Sequence, residues 1–472
     1  MNQKYYDIVI IGGGPAGMAA AVAAKKAGIE SVVVLEQQSF LGGVLPQCIH
    51  DGFGLHIFGK NMTGPEYAAY YRRLFSDMNI ENYVSTTVMA INDKKEITCV
   101  GKTLGAVTIK AGTIILAMGC KERSRGALRI PGTRPSGVYT AGAAQHMINI
   151  QNYLPGKSVV ILGMGDIGLI MARRLTLEGS KVKMVLGLEA NGLQRNMVQC
   201  IRDFDIPLKC GYAVTSLHGV KRLKGVTIAQ IDPNGNTRKD TKKYIPCDTL
   251  LLAAGLLPES EIAKKAGIKI NEINAGILTD SKGCTNVDGI FACGNVTKVH
   301  DLVDFVTFEG EKTGLSAAKY IKRRNGEEAF NIEESNKKYE KINSDRKGDP
   351  NLPDDIEKEK YRICILCPNG CLLKGELNKS WTISGYQCER GKEYGLQEIQ
   401  NPMRVLTTTV KVKGQGRVLL PVKTDGAIPK EKLHAVMKSC RKITIENPFE
   451  IGSIIISNVG DTGVDIIACD TV

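Results

Sequence analysis

Residues 6–36, YDIVIIGGGPAGMAAAVAAKKAGIESVVVLE, restrict this chain more than any other stretch. An apolar run ends at Ile11, and Gly12, Gly14 and Gly17 follow in G-x-G-x-x-G spacing, with Pro15 and Ala16 between the last two. A helix of small residues comes next, then a second apolar run closing on Glu36. Strand, glycine turn, helix, strand and acid in that order form the dinucleotide-binding fingerprint. The glycines divide the work: a tight turn at Gly12, close approach of backbone to a pyrophosphate at Gly14, and packing of helix on sheet at Gly17. The pyrophosphate meets the unpaired N–H groups of the helix start. Glu36 offers acceptors to a ribose diol and would repel a 2′-phosphate.

The pattern returns at residues 158–189. A strand leads to Gly163, Gly165 and Gly168, with Asp166 inside the loop, then a helix over 167–177 and a strand over 181–186. The acidic end is weaker here, since position 187 is glycine and Glu189 is displaced. No arginine follows to receive a 2′-phosphate, so NAD and NADP both stay open, as does a vestigial, empty nucleotide fold. Between and after the loops lie an expected helix over 64–78, a hairpin over 100–110 and a buried strand over 113–119 ending in Gly119. Further strands fall at 247–258 and at 289–295, the latter ending in Gly294 and Asn295, and a helix opens at Glu309 and Gly310 and runs to about Arg323. Residues 37–54, a glycine-rich loop containing Gly43, lie just beyond the ribose position, where backbone can close over a cofactor. The order predicts one nucleotide domain, a second inserted within it, and a return to the first.

On these residues the first 325 positions resemble the two-dinucleotide-binding flavoproteins, the family of glutathione reductase, thioredoxin reductase and the ferredoxin and rubredoxin reductases. The resemblance implies FAD on the outer domain, its ADP half held by Gly12, Gly14, Gly17 and Glu36, and NAD(P)H on the inserted one, with hydride passing to flavin N5. It puts Asn295 where the family usually has an aspartate on the ribityl chain, and places a helix start near Glu309 at the flavin pyrimidine edge. Disulfide reductases of this family need two neighbouring cysteines, C-x4-C or C-x2-C, beside the flavin. Here Cys48 and Cys120 each stand alone, so two-thiol exchange is poorly supported. Residues 299–310, VHDLVDFVTFEG, resemble more narrowly the flavoprotein subunits that accompany anaerobic glycerol-3-phosphate dehydrogenase and opine or amine dehydrogenases. Asp301 and Asp304 read there as capping or solubilising residues.

After a charged, apolar-poor linker, Cys364, Cys367, Cys371 and Cys388 form C-x2-C-x3-C-x16-C, with Pro368 and Gly370 bending the chain so that thiolates converge. Four clustered cysteines in a reducing compartment point to metal. Zinc takes four thiolates, usually from paired knuckles; an iron–sulfur cube accepts a less regular set and passes single electrons. The three-plus-one spacing, with the continuation Glu389-Arg390-Gly391-Lys392 and Asn401-Pro402-Met403-Arg404, resembles the N-terminal [4Fe-4S] segment of molybdopterin oxidoreductases. Residues 360–472 as a whole resemble a small cysteine-containing domain of uncharacterised function found beside such flavoproteins in glycerol-metabolism gene clusters. Zinc, or a bare cysteine loop, remains the alternative.

The expected fold class is therefore α/β: two Rossmann-like FAD/NAD(P)-binding domains, the second inserted in the first, and a small C-terminal α+β domain of iron–sulfur type. Its segments are 1–122 and 248–325 for FAD, 123–247 for NAD(P), 326–359 as linker and 360–472 for the four-cysteine domain. A length of 472 residues suits about three domains. The net charge of +13 could favour anionic partners, but the single Trp381 and the lack of interleaved basic and aromatic residues argue against nucleic acid. Cysteines scattered through apolar segments, no leader peptide and no membrane-length apolar run predict a cytoplasmic protein, with peripheral membrane association only through a partner. The function expected is an FAD-dependent NAD(P)H oxidoreductase that relays electrons through an iron–sulfur centre to or from a partner, either a glycerol-3-phosphate dehydrogenase or another redox protein. The alternatives are a non-enzymatic electron-transfer subunit of such a dehydrogenase complex, and a zinc-stabilised flavoprotein with a docking tail. No side chain is compelled as catalytic.

Overall fold

A computed structural model describes residues 4–190, 192, 194–327, 361–366, 371–377, 380–414, 418–446 and 448–471. Most of the expected linker, together with Cys367, Pro368 and Gly370, lies outside the described residues. The chain forms two compact units. One comprises residues 1–121 and 256–344, the other 122–255 and 345–472.

In the first unit, apolar runs become parallel strands because buried β-branched residues suit a sheet covered on both faces. Val32–Leu35, Lys4–Ile11 and Gly105–Leu116 lie side by side, flanked by Glu81–Tyr83 on one side and Ile290–Ala292 on the other. Gly105–Leu116 also continues the antiparallel hairpin through Glu96–Gly101 and Thr86–Ile91. One face is covered by the helices Pro15–Lys26, Gly64–Asp77 and Val303–Arg324. Thr63 starts the second of these through a capping box with Glu66, each satisfying the other's N–H group. The first and last helices touch along glycines: a β-carbon on Gly310 would lie 2.3 Å from the Ala16 carbonyl oxygen, and one on Gly314 2.3 Å from that of Ala20.

The closing helix begins at Val303, six residues before Glu309, the position expected from sequence. Leu302 supplies the extended cap and Asp304 sits in the first turn. Glu309 and Gly310 are therefore helix interior, and the helix N-terminus lies at Val303. The glycine at 310 suggested a start, but it serves helix packing.

The second unit has a five-stranded parallel sheet in the order Val138–Thr140, Thr249–Leu252, Ser158–Leu162, Lys181–Gly187, Leu208–Cys210. Thr249–Leu252 pairs with both of its neighbours there, so the chain returns to the first unit at Leu256 rather than at 248. An antiparallel trio, Tyr212–Gly219, Leu223–Gln230 and Lys243–Pro246, follows. The C-terminal stretch shares this unit. Tyr361–Ile363, Leu372–Leu377 and Trp381–Ser384 form an antiparallel sheet packed on the helix Glu389–Gln400. A second sheet, built on Thr407–Lys413 and Leu419–Thr424, packs on Leu433–Lys442 around a separate apolar core. Leu177, the last residue of the helix Asp166–Leu177, is buried in that core. Among the described residues no helix is long and apolar enough to cross a membrane.

Candidate functional site: a glycine cradle with a buried acid

The first fingerprint turn is built as its glycines require. Gly12 has φ +106°, and a β-carbon there would lie 2.4 Å from the Ala117 carbonyl oxygen. One on Gly17 would come within 1.9 Å of the Gly12 carbonyl oxygen. Gly14 caps the helix in extended conformation with Pro15 as its first residue, so the early N–H groups face outward unpaired. Across from it stands Gly43 at φ +58°, with its own β-carbon position 3.0 Å from the Gly14 α-carbon. These two glycines leave a backbone-walled slot.

Glu36 closes the slot. It is 5% exposed, and its carboxylate accepts from Gly13 N at 2.6 Å and from Gln38 N at 2.7 Å. Two backbone donors fix the acid at the turn, with lone pairs left for a diol. The cradle, the open helix N-terminus and the buried acceptor fit the ADP half of FAD.

At the same, carboxyl end of the sheet, Gly294 has φ +75°, and its β-carbon position lies 2.7 Å from Ala16 Cβ. Asn295 Oδ1 accepts from His300 N at 3.0 Å, and Nδ2 approaches Cys120 Sγ at 3.6 Å. Glu309 gathers this turn: its carboxylate accepts from Gly294 N at 3.1 Å and Thr297 Oγ1 at 3.2 Å, and meets His300 Nε2 at 2.6 Å. Sequence reading missed His300; its signal was an imidazole nine residues before an acid in a loop leaving a small-residue strand. Gly119 has φ +69° and open space at its β-carbon position, so backbone conformation alone calls for glycine there. Asp304, expected to cap or solubilise, is 1% exposed; its Oδ2 accepts from His56 N at 3.4 Å, and burial pushes its carboxyl upward.

The second fingerprint repeats the turn without the acid. Gly163 at φ +124° and Gly168 again meet backbone at 2.1 and 2.2 Å, and Gly165 caps the helix. Met164 packs against Gly187, where the first domain has Gly13 against Glu36. Glu189 is exposed, and Asp166, in the first turn of the helix, accepts from Asn196 Nδ2 at 2.8 Å. The loop suits a pyrophosphate; no carboxylate holds a ribose in the manner of Glu36.

In the cysteine segment, Cys364 Sγ and Cys388 Sγ each lie 3.7 Å from the place a β-carbon on Gly391 would take. Cys388 caps the helix Glu389–Gln400, and Cys364 N donates to the Cys371 carbonyl at 2.9 Å. Thus two thiols approach one another over a helix N-terminus, with the third cysteine tied to the first. Among the described residues no three side chains are grouped to hold a metal; Cys367 is outside them. Likewise, none of the described cysteines is in a disulfide.

The doubled glycine turn in a split sheet defines a nucleotide-dependent oxidoreductase fold. The chain belongs to the pyridine nucleotide-disulphide oxidoreductase family, an FAD-dependent class, whose model matches residues 6–318. A model for a protein of unknown function (DUF1667) matches residues 389–470. Thioredoxin reductase of Ureaplasma parvum is 27% identical over 331 residues, covering 69% of this chain and 100% of that one. An opine oxidase subunit of Rhizobium meliloti is 26% identical over 319 residues, 62% of this chain and 59% of that one. The match thus spans about three fifths of the opine oxidase subunit's length. In fold the chain is similar to T. acidophilum thioredoxin reductase, with TM-score 0.55 and 24% identity over 67% of this chain and 98% of that one.

Proposed function

We propose that this oxidoreductase passes electrons between a nicotinamide nucleotide, FAD and a [4Fe-4S] cluster, in the cytoplasm, with a redox protein such as a glycerol-3-phosphate dehydrogenase as partner. The cysteine geometry carries the reading: Cys364 and Cys388 bring their sulfurs to one spot over the start of Glu389–Gln400. Cys371, hydrogen-bonded to Cys364, and Cys367 would complete the donor set. When bound, FAD supplies hydride acceptance and single-electron release, and a cluster supplies single-electron exchange. Gly12, Gly14, Pro15, Ala16, Gly17 and Gly43 would cradle the pyrophosphate and Glu36 would orient the ribose. Gly119, Gly294, Asn295 and Glu309 would form the wall of the ribityl end, and Gly163, Gly165, Asp166 and Gly168 would receive the nicotinamide nucleotide. The domains proposed are the two nucleotide domains, a charged linker and a cysteine domain from residue 360.

The second fingerprint favours one other reading. With Met164 over Gly187 in place of an acid, the inserted domain would bind nucleotide weakly, and the chain would act as an electron-transfer subunit of an amine, opine or glycerol-3-phosphate dehydrogenase complex. The similarity to an opine oxidase subunit supports it. An anaerobic count of flavin, iron, zinc and acid-labile sulfide on the purified chain, followed by titration with NADH and NADPH, separates the two. FAD, four irons and bleaching by either nucleotide are expected for a cluster-bearing oxidoreductase. Iron and FAD without bleaching select the electron-transfer role. One zinc and no sulfide removes the cluster and leaves a flavoprotein with a docking tail.

A further inference from the structure

The loop from Asn295 to Leu302 carries an imidazole whose two nitrogens are treated differently. His300 Nε2 is 2.6 Å from Glu309 Oε2, and the two side chains are 10% and 22% exposed. An ionised carboxylate only accepts, so Nε2 donates to Glu309 and Nδ1 is left as the nitrogen with a free lone pair. Nδ1 has no hydrogen-bond partner among the described residues. Glu309 is itself fixed by Gly294 N and Thr297 Oγ1, and the His300 backbone is fixed by Asn295. The ring is thereby oriented by an acid, in a nearly buried position, on the loop joining Asn295 to the helix that starts at Val303. A carboxylate so placed selects the imidazole tautomer and stabilises its cation.

Two thiols pack on the same elements. Burial, reinforced by Glu309, pushes the Cys293 thiol far up, which removes it as a carrier of protons near neutrality. Cys120 stands behind the Asn295 amide. His300 is the residue of this group equipped to change charge.

We propose that His300, held by Glu309, takes up the proton that balances flavin reduction. The inference rests on the FAD assignment above. Bound FAD reduced by hydride from nicotinamide C4 would exchange a C–H for an N–H bond and gain two electrons and one proton, hence one net negative charge. His300 Nδ1 binds one proton from solvent in the same step, and the imidazolium, paired with Glu309, offsets that charge. Withdrawal of the two electrons by a one-electron acceptor releases both protons.

The FAD-loaded chain is labelled with 15N-histidine, and its six imidazoles are followed during anaerobic reduction by dithionite. The His300 Nδ1 signal, assigned by its loss in His300→Gln, is expected to change from unprotonated to protonated character on reduction. In weak buffer with a pH indicator, NADH reduction should take up about one proton per FAD in the unaltered chain and close to none in His300→Gln. An Nδ1 signal that does not move, or equal uptake in both proteins, overturns the proposal. If His300→Gln does not retain FAD, Glu309→Gln, whose amide oxygen still accepts from Nε2, should lower the uptake, and undiminished uptake overturns the proposal equally. A chain purified without FAD refutes the underlying cofactor assignment instead. Bleaching by dithionite but not by NADH refutes only the nicotinamide step, and the labelled imidazole still decides on His300.

Discussion

Arg404 donates from Nε and Nη2 to the carboxylate of Asp203 at 2.6 and 3.0 Å, joining the C-terminal stretch to the inserted nucleotide domain within one unit. The same guanidinium reaches Glu398 at 2.6 and 2.8 Å, and the three side chains are only 2%, 5% and 7% exposed. Their two carboxylates hold the Arg404 charge firmly, pushing its pKa up against the opposing effect of burial. Nearby, Arg174 donates to Asn149, Thr408 and Thr409, and Arg441 donates to the Leu177 carbonyl. The C-terminal module is thus anchored at the far end of the helix Asp166–Leu177, about 18 Å from its start at Asp166.

Removing one partner leaves a buried charge without its complement. Arg404→Ala, which leaves the Asp203 and Glu398 carboxylates buried together, is expected to destabilise the second unit by about 3–5 kcal/mol, read from urea unfolding. Replacing Arg404, Asp203 and Glu398 together by apolar residues of similar volume should cost less. Equal losses in the two proteins would show that packing, not charge, governs the contact.

Gly17 has no room for a side chain, since its β-carbon position is 1.9 Å from the Gly12 carbonyl oxygen. Gly17→Ala should push the helix off the turn and reduce bound FAD per chain by about tenfold or more, at a stability cost on the order of 2 kcal/mol. Absorbance of the purified protein gives the ratio directly. Full flavin content would remove this glycine from the cofactor cradle.

Asp304 supplies a pH test. Its Oδ1 is buried without a hydrogen-bond partner among the described residues, and burial raises its pKa from the ordinary 3.8, the His56 amide opposing. A carboxyl raised in the folded state contributes stability that is whole below the unfolded value and is lost as pH climbs through the folded value. Asp304→Asn should therefore be more stable than the unaltered chain at pH 7–8, by on the order of 1 kcal/mol, with the gap closing towards pH 4. Thermal melts across that range check it; a gap independent of pH would contradict the assignment of the cost to ionisation.

Thiol reactivity should follow burial. The thiol of Cys247 is pushed up to about 12 by burial and then by Asp248, and those of Cys284 and Cys440 to about 11, burial again leading. Cys210 is exposed. Iodoacetamide at pH 8 should label the exposed Cys210 ahead of Cys247, Cys284 and Cys440, with these three on the order of a hundredfold slower until the chain is unfolded. Peptide mass spectrometry after timed quenching reads the order.

Much of the candidate site was legible because backbone sterics write themselves into residue type. Gly12, Gly17, Gly163 and Gly168 stand where a β-carbon would collide with a carbonyl, and nothing but glycine serves. The role of Glu309 was not legible in the same way. A glycine just after it suggested a helix start, whereas Gly310 is there to let two helices approach, and helix packing leaves the same residue type as a cap.

The sequence by itself determined the doubled nucleotide fold, the order of its pieces and the four-cysteine spacing, since these depend on local periodicity and on steric limits within short stretches. Only the tertiary structure decided that the closing helix starts at Val303, that Glu309 holds His300, and that Arg404 bridges Asp203 and Glu398. Such pairings join residues up to 201 positions apart. They are chosen by which charges are buried together, a property that no single stretch of chain contains.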